Sequence, residues 1–370
     1  MKPKLNWVFV NSIQMFAGGE IWMLTAMRGL REHGHHISLI CRPGTELERR
    51  AVEENFPVFS MSFRGDFDPI SIGKAAGILR KIHPDGILTN MDKELRIAGL
   101  AAKLIGVPVV LPRRGSDYPL KNHVAYRFSY TKIATAVLAN SESTRRTVLK
   151  NAPWLPAQKV RVIYNGIDPA PYLSPSQKNL REEFGIPEDD FVIGFVGQLD
   201  ERKGIQDILE GFRLFAGKWK KATLFFCGVG PLRHKIQEFA GENGLEAKIK
   251  LSGFRDDVPE VMKMIDVLVL PSLWEGFGIV LIEAMAAAKP VIVSKASNLP
   301  EIVSEREGIL VSPHAPAELT EAFRRLASQP KLRQSLGRNG RERVQKFFTR
   351  DRMIDALEGF FYELLGERRK

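Results

Sequence analysis

Twelve short apolar runs, six on each side of a proline-rich break, constrain this chain to two consecutive α/β units. The first set is Trp7 to Val10, Ile37 to Cys41, Val58 to Met61, Gly86 to Thr89, Val107 to Leu111 and Ala136 to Ala139. The second is Phe191 to Val196, Ala222 to Cys227, Ile249 to Ser252, Val267 to Leu270, Val291 to Val293 and Gly308 to Val311. Segments of helical period separate the runs, and strand and helix in alternation build a parallel sheet covered on both faces. Between the sets, Asn165-Gly-Ile-Asp-Pro-Ala-Pro-Tyr-Leu-Ser-Pro175 carries three prolines within seven residues, which suits neither a helix nor a strand interior. The expected division is therefore 1–165 and 166–349, followed by a last helix that starts after a break at Thr349-Arg-Asp351.

A chain of 370 residues with 44% hydrophobic content is long enough to bury two cores. No run approaches the roughly 18 apolar residues that span a bilayer. Met1-Lys-Pro-Lys leads straight into a strand-like run rather than a signal peptide, so the expected location is the cytoplasm. Cys41 and Cys227 each end a strand-like run without metal-ligand spacing, and buried free thiols are expected. None of the seven histidines stands in a metal-spaced cluster, and no metal is expected.

The net charge of +11 is confined to one half. Residues 1–165 hold 24 Lys and Arg against 13 Asp and Glu, whereas 166–370 hold 30 of each. A cationic first half suits an anionic acceptor or an anionic membrane surface. Nucleic acid is disfavoured as a partner, because no nucleic-acid-binding module or zinc-finger spacing is present.

The most informative motif for function is Ser272-Leu-Trp-Glu-Gly-Phe-Gly-Ile-Val-Leu-Ile-Glu283. It follows the apolar run ending at Leu270 and opens a segment of good helix formers, so Glu275, Gly276, Phe277 and Gly278 make a strand-to-helix turn. Open α/β sheets bind ligands at that edge. The first amides of the helix, from Ile279 and Val280, lack internal acceptors and lie at the positive end of the helix dipole, where a diphosphate is the natural guest. Glu283 falls about one turn into the helix, so the two carboxylates are placed to accept hydroxyl groups at opposite ends of one ligand. The plainer alternative makes Glu275 a solvated loop residue and Glu283 a partner within its own helix.

The E-x7-E spacing and the letters E-G-F-G-x-x-x-x-E-A-M-A resemble the signature of the family 4 retaining glycosyltransferases. That resemblance implies an α/β fold of the GT-B type, with two Rossmann-like doubly wound domains facing across a cleft. It also implies that the last helix, about 350–370, returns to the acceptor-binding first domain, and that 166–349 binds the nucleotide sugar. Phe195-Val-Gly-Gln-Leu-Asp-Glu-Arg-Lys-Gly204 resembles the family's F-V-G-R-L-x-x-x-K-G loop. By that match Lys203 neutralises the donor diphosphate, and Gly197 and Gln198 line the donor. Gln198 departs from the common Arg, and Arg202 is the candidate that replaces its charge. Phe16-Ala-Gly-Gly-Glu20 resembles the N-terminal glycine loop, giving Gly18 and Gly19 as donor contacts. Cys227-Gly-Val-Gly-Pro231 resembles a turn lining the site through Gly228, and Ser252-Gly-Phe-Arg255 the loop that reads the base, through Phe254 or Arg255.

In the first half, Arg114 and Asn90 occupy places where many relatives carry His. An always-charged Arg114 cannot act as a base, so it would stabilise phosphate or acceptor charge, with Asp117 the nearest carboxylate. The resemblance thus implies a metal-independent, retaining hexosyltransferase without cofactor. It would move a sugar from a nucleoside diphosphate to a hydroxyl, with Lys203, Glu275, Arg202 and Arg114 as the catalytic set. The basic first half inclines the acceptor toward a lipid-linked or lipopolysaccharide-type glycan. A nucleotide-sugar 2-epimerase of the same architecture and a non-catalytic sugar-nucleotide binder stay open alternatives.

Overall fold

A computed structural model describes residues 3–115 and 118–368 and divides the chain into two units, Met1–Asn165 with Arg350–Lys370, and Gly166–Thr349. In the first unit, seven strands form one sheet: β1 (Asn6–Asn11), β2 (His36–Cys41), β3 (Val58–Ser60), β4 (Gly86–Thr89), β5 (Val109–Arg114), β6 (Val137–Ala139) and β7 (Val160–Val162). Their order is β3-β2-β1-β4-β5-β6-β7, and all paired neighbours are parallel. Strands buried on both faces read as continuous apolar runs, which is why most of them are visible in the sequence. Two differ from expectation. The fifth run shifts from 107–111 to Val109–Arg114, because the strand continues into two arginines. The three-residue β7 carries too few apolar positions to form a run.

Successive residues of β1 face opposite sides of this sheet. Trp7 and Phe9 enter one core with Leu39 and Leu111, covered by the helices Gly18–Glu32 and Arg350–Arg368. Val8 and Val10 enter the other with Ile87 and Val110, under Pro69–Ile82. Trp7 stacks on Phe361 with ring centroids 3.6 Å apart. Gly86 lies opposite Trp7 in the β1–β4 register, and any Cβ there would stand 2.7 Å from the indole.

The second unit holds a six-stranded parallel sheet. Its strands are β8 (Phe191–Val196), β9 (Ala222–Cys227), β10 (Ile249–Gly253), β11 (Val267–Leu270), β12 (Val291–Ser294) and β13 (Gly308–Val311). The order is β10-β9-β8-β11-β12-β13, so the winding direction reverses between β8 and β11. That reversal opens a crevice beyond the carboxyl ends of these two strands. The proline-rich segment begins against the end of the same unit, with the Ile167 amide donating to the Phe348 carbonyl at 3.0 Å.

Candidate functional site

Two loops meet beyond the carboxyl ends of β8 and β11. After β8, Asp200 caps a single turn, Glu201–Lys203, by accepting the Arg202 amide at 3.0 Å. Gly204 then takes a left-handed conformation with φ of 68° and starts the helix Ile205–Lys218. A Cβ on Gly204 would stand 2.4 Å from the Pro271 carbonyl oxygen, so only glycine lets the two loops approach this closely. The Leu273 amide donates to the Arg202 carbonyl at 2.8 Å and joins them. The Lys203 ammonium consequently forms an ion pair with Glu275 Oε2, both side chains being only about 15% exposed (15% and 14%).

The second loop is anchored from below. Ser294 donates to the Ser272 carbonyl, Ser297 to the Glu275 carbonyl at 2.9 Å, and Asn298 Nδ2 to the Phe277 carbonyl at 3.0 Å. Ser294 ends β12 and the other two follow it, and in the sequence they look like an ordinary polar turn. Phe277 is buried and packs edge-on against Phe348, with centroids 6.0 Å apart. Gly278, at φ of 79°, precedes the helix Ile279–Ala286, whose first residues Ile279 and Val280 stay partly exposed. Helix amides in a first turn have no acceptor within the helix. The Gly276 amide donates to Glu275 Oε1 at 3.2 Å.

Glu283 lies on the same helix, half-buried, with its Oε1 accepting the Tyr172 hydroxyl at 2.9 Å. Burial raises its carboxyl above the usual range, and the Tyr172 bond opposes that shift. Tyr172 also escaped the sequence reading, because it sits among the prolines of the linker where no periodicity marks it.

The remaining loops of the same sheet edge stack in order. The Gly228 amide donates to the Gly253 carbonyl at 2.8 Å and the Gly197 amide to the Cys227 carbonyl at 2.9 Å. Both Gly197 and Gly228 have positive φ, 151° and 147°. Gln198 is exposed beside them. Phe254 projects into solvent at 71% exposure, whereas Arg255 is held by Asp257 and Glu183, which keep its guanidinium above its ordinary pKa. Arg202 pairs with Asp200 at 2.6 Å and lies over the Trp274 ring, with a more exposed side chain than Lys203. Cys227 and Cys41 are free and buried, and burial pushes the Cys41 thiol up to about 12.

In the first unit, Gly18 is open to solvent, and a Cβ on Gly19 would come within 3.2 Å of Asn90 Nδ2. Arg114 is engaged by Asp92 at 3.2 Å and by the Tyr118 carbonyl at 2.9 Å. Its neighbour Arg113 is buried and has no carboxylate contact among the described residues. It donates to Asn90 and Asn165 and packs over Trp22 at 3.9 Å, and burial lowers its pKa to about 9. Asp117 lies outside the described residues.

His33, Asp355 and Glu358 bring one ligand atom each to within 4.8 Å of one another, a group able to hold a metal ion. Positions 33 and 358 stand 325 residues apart, so only the return of the last helix to the first unit unites them. No helix among the described residues is long and apolar enough to cross a membrane.

The family model for group 1 glycosyl transferases matches residues 176–343, and that for Glycosyltransferase Family 4 matches residues 16–171. An uncharacterised glycosyltransferase of Methanocaldococcus jannaschii is 34% identical over 203 residues, covering 53% of this chain and about half (52%) of that protein's length. Alpha-maltose-1-phosphate synthase of Mycolicibacterium smegmatis is 30% identical over 281 residues, covering 68% and 71% of the two chains. The lipopolysaccharide core biosynthesis glycosyltransferase LpsD of Rhizobium meliloti is 24% identical over 358 residues, covering 95% and 96%. Among solved structures, Anabaena HepE in complex with UDP superposes with a TM-score of 0.86 at 20% identity, over 97% of this chain and all (100%) of that one. With two doubly wound parallel sheets of the GT-B type and family matches over both halves, the chain belongs to the group 1, family 4 glycosyltransferases.

Proposed function

We propose that this glycosyltransferase is retaining and metal-independent, and that it moves a hexose from a nucleoside diphosphate sugar to a hydroxyl of a lipid-linked or lipopolysaccharide-type glycan. The observation that carries the reading is the meeting of Lys203 and Glu275 beside the first turn of Ile279–Ala286. The unit Gly166–Thr349 would hold the donor, and the first unit with its returning helix the acceptor. Helix amides from Ile279 and Val280, with the Lys203 ammonium, take the charge that builds on the diphosphate as the bond from sugar C1 to phosphate oxygen breaks. Glu275 accepts sugar hydroxyls and Glu283 those of the ribose. The acceptor oxygen bonds to C1 on the face the phosphate leaves, and its proton passes to a phosphate oxygen. No protein base is required, which suits a site whose one ammonium is already paired with a carboxylate. Gly197, Gln198, Gly228, Phe254, Gly276, Phe277 and Gly278 would complete the donor surface of the second unit through backbone and ring contacts. Arg202, Arg255 and Arg114 remain candidates that must leave their carboxylates to act.

UDP is bound by HepE, and a lipopolysaccharide core is the product line of LpsD; both support a nucleotide donor and a glycan acceptor here. The excess of basic residues lies in 1–165. In that unit, Val124 and Phe128 are 75% and 43% exposed on a short helix that buries no residue, beside Arg127. An apolar and basic surface of this kind suits an anionic leaflet, at the inner face of the cytoplasmic membrane. A donor panel read by thermal shift tests the assignment first. A true donor at 100 times its Kd adds about 2.7 kcal/mol of stability. Transfer to a glycolipid extract with the anomeric configuration kept supports the full reading. Epimerised nucleotide sugar formed without any acceptor overturns it.

A further inference from the structure

Glu283 is the one carboxylate of the proposed donor site that no cation touches. Its Oε1 accepts the Tyr172 hydroxyl at 2.9 Å, and its Oε2 has no partner among the described residues. Tyr172 belongs to the short helix Ala170–Leu173, which packs against the helices Val258–Met264 and Ile279–Ala286. The hydroxyl therefore arrives from a different element than the carboxylate it touches. A tyrosine of this kind does two things to a glutamate. It fixes the carboxylate plane, and it uses one oxygen while leaving the other with both lone pairs available. Burial disfavours the ionised carboxyl, and the bond from Tyr172 is the contact that counters it. Burial also holds the phenol well above its usual range, so Tyr172 stays a donor at every working pH.

We infer that Tyr172 is a positioning residue for the nucleotide end of the donor, turning Glu283 so that its second oxygen accepts the ribose hydroxyls. The inference rests on the donor reading above and assigns a new residue to it. Tyr172 does not touch the reacting atoms; it sets which nucleotides are held, favouring those with a ribose diol over deoxy forms.

The test measures binding of UDP, GDP and ADP to the full chain by titration calorimetry. The tightest of them is then compared with its 2′,3′-dideoxy counterpart. Tyr172→Phe keeps the ring and removes only the hydroxyl, so it preserves the packing. It is expected to weaken the ribonucleotide about tenfold, to leave the dideoxy form within about twofold, and to narrow the preference accordingly. Glu283→Gln should lose the preference by itself, and adding Tyr172→Phe to it should change nothing further. Equal weakening of both nucleotides by Tyr172→Phe would mean a structural tether and overturns the inference, as does unchanged preference. Failure of the wild-type chain to bind any of the three nucleotides overturns the donor reading, and the role of Tyr172 with it. Wild-type binding with an indifferent Tyr172→Phe overturns the role of Tyr172 alone.

Discussion

Lys203 and Glu275 form an ion pair beyond the carboxyl ends of β8 and β11, although 72 positions separate them in the chain. On the proposed donor reading, a diphosphate at the helix tip would compete with Glu275 for the Lys203 ammonium. Replacing Lys203 with Ala should lower turnover by about 100- to 1,000-fold, the scale of losing one charge-stabilising donor in a transition state. Stability should also fall, by about 3 kcal/mol, because the largely buried Glu275 carboxylate loses its cation. Steady-state transfer assays alongside thermal melting check both. Near wild-type turnover in a folded variant would remove Lys203 from the mechanism.

Gly228 is required for a steric reason. A Cβ there would stand 1.8 Å from the Gly197 carbonyl oxygen, at a φ of 147°. Gly228→Ala should destabilise the chain by about 2 kcal/mol or more. Gly77, in the helix Pro69–Ile82, meets nothing within 4 Å, and Gly77→Ala should stabilise by about 0.5–1 kcal/mol. Urea unfolding of the two variants should move in opposite directions.

The last helix is fitted to the first by a glycine. A Cβ on Gly29 would lie 2.4 Å from Ile354 Cγ1. Gly29→Ala should destabilise by about 1–3 kcal/mol. Combining it with Ile354→Ala should cost less than the sum of the two single changes, a coupling of about 1 kcal/mol in a double-mutant cycle. Strict additivity would show that the contact is not made.

Glu94 is buried and accepts the amides of Asn90 at 2.6 Å, Met91 at 2.9 Å and, through its other oxygen, Ser12. Burial nevertheless pushes its carboxyl up to about 7. A folded pKa above the unfolded value of about 4.3 means that the folded state binds the proton more tightly. The contribution of Glu94 is therefore fully present below about pH 4, declines as pH rises, and is gone above about pH 7, a change of about 4 kcal/mol. Carbon-detected NMR of the Glu94 carboxyl should show a midpoint near 7. A midpoint near 4 would mean that the three amides outweigh burial.

Much of the fold is legible in the sequence because parallel strands, buried on both faces, leave unbroken apolar runs. Val160–Val162 escapes because a three-residue edge strand needs no such run. The loop around Glu275 announces itself through glycines and a carboxylate, since local backbone demands leave a local trace. The side chains that act on it from afar do not. Ser294, Ser297 and Asn298 reach the loop from the next strand, and Tyr172 reaches Glu283 from 111 positions away. His33 and Glu358 are farther still. Such partners are fixed by tertiary geometry, and a polar residue in a turn looks the same whether or not it has a distant client. Arg114 shows the converse: its sequence position draws attention, while the fold spends its guanidinium on Asp92.

The stacking of Trp7 on Phe361 has a consequence for how the chain matures on the ribosome. The unit Gly166–Thr349 is one continuous stretch and can complete itself as soon as it emerges. The first unit cannot, because the residues that cover Trp7 are translated only after the whole of the second unit. Although synthesised first, it must wait with an uncovered apolar face until the helix Arg350–Arg368 has emerged. Premature stop codons near position 350 should thus yield a chain whose second unit is sound and whose first is prone to aggregate.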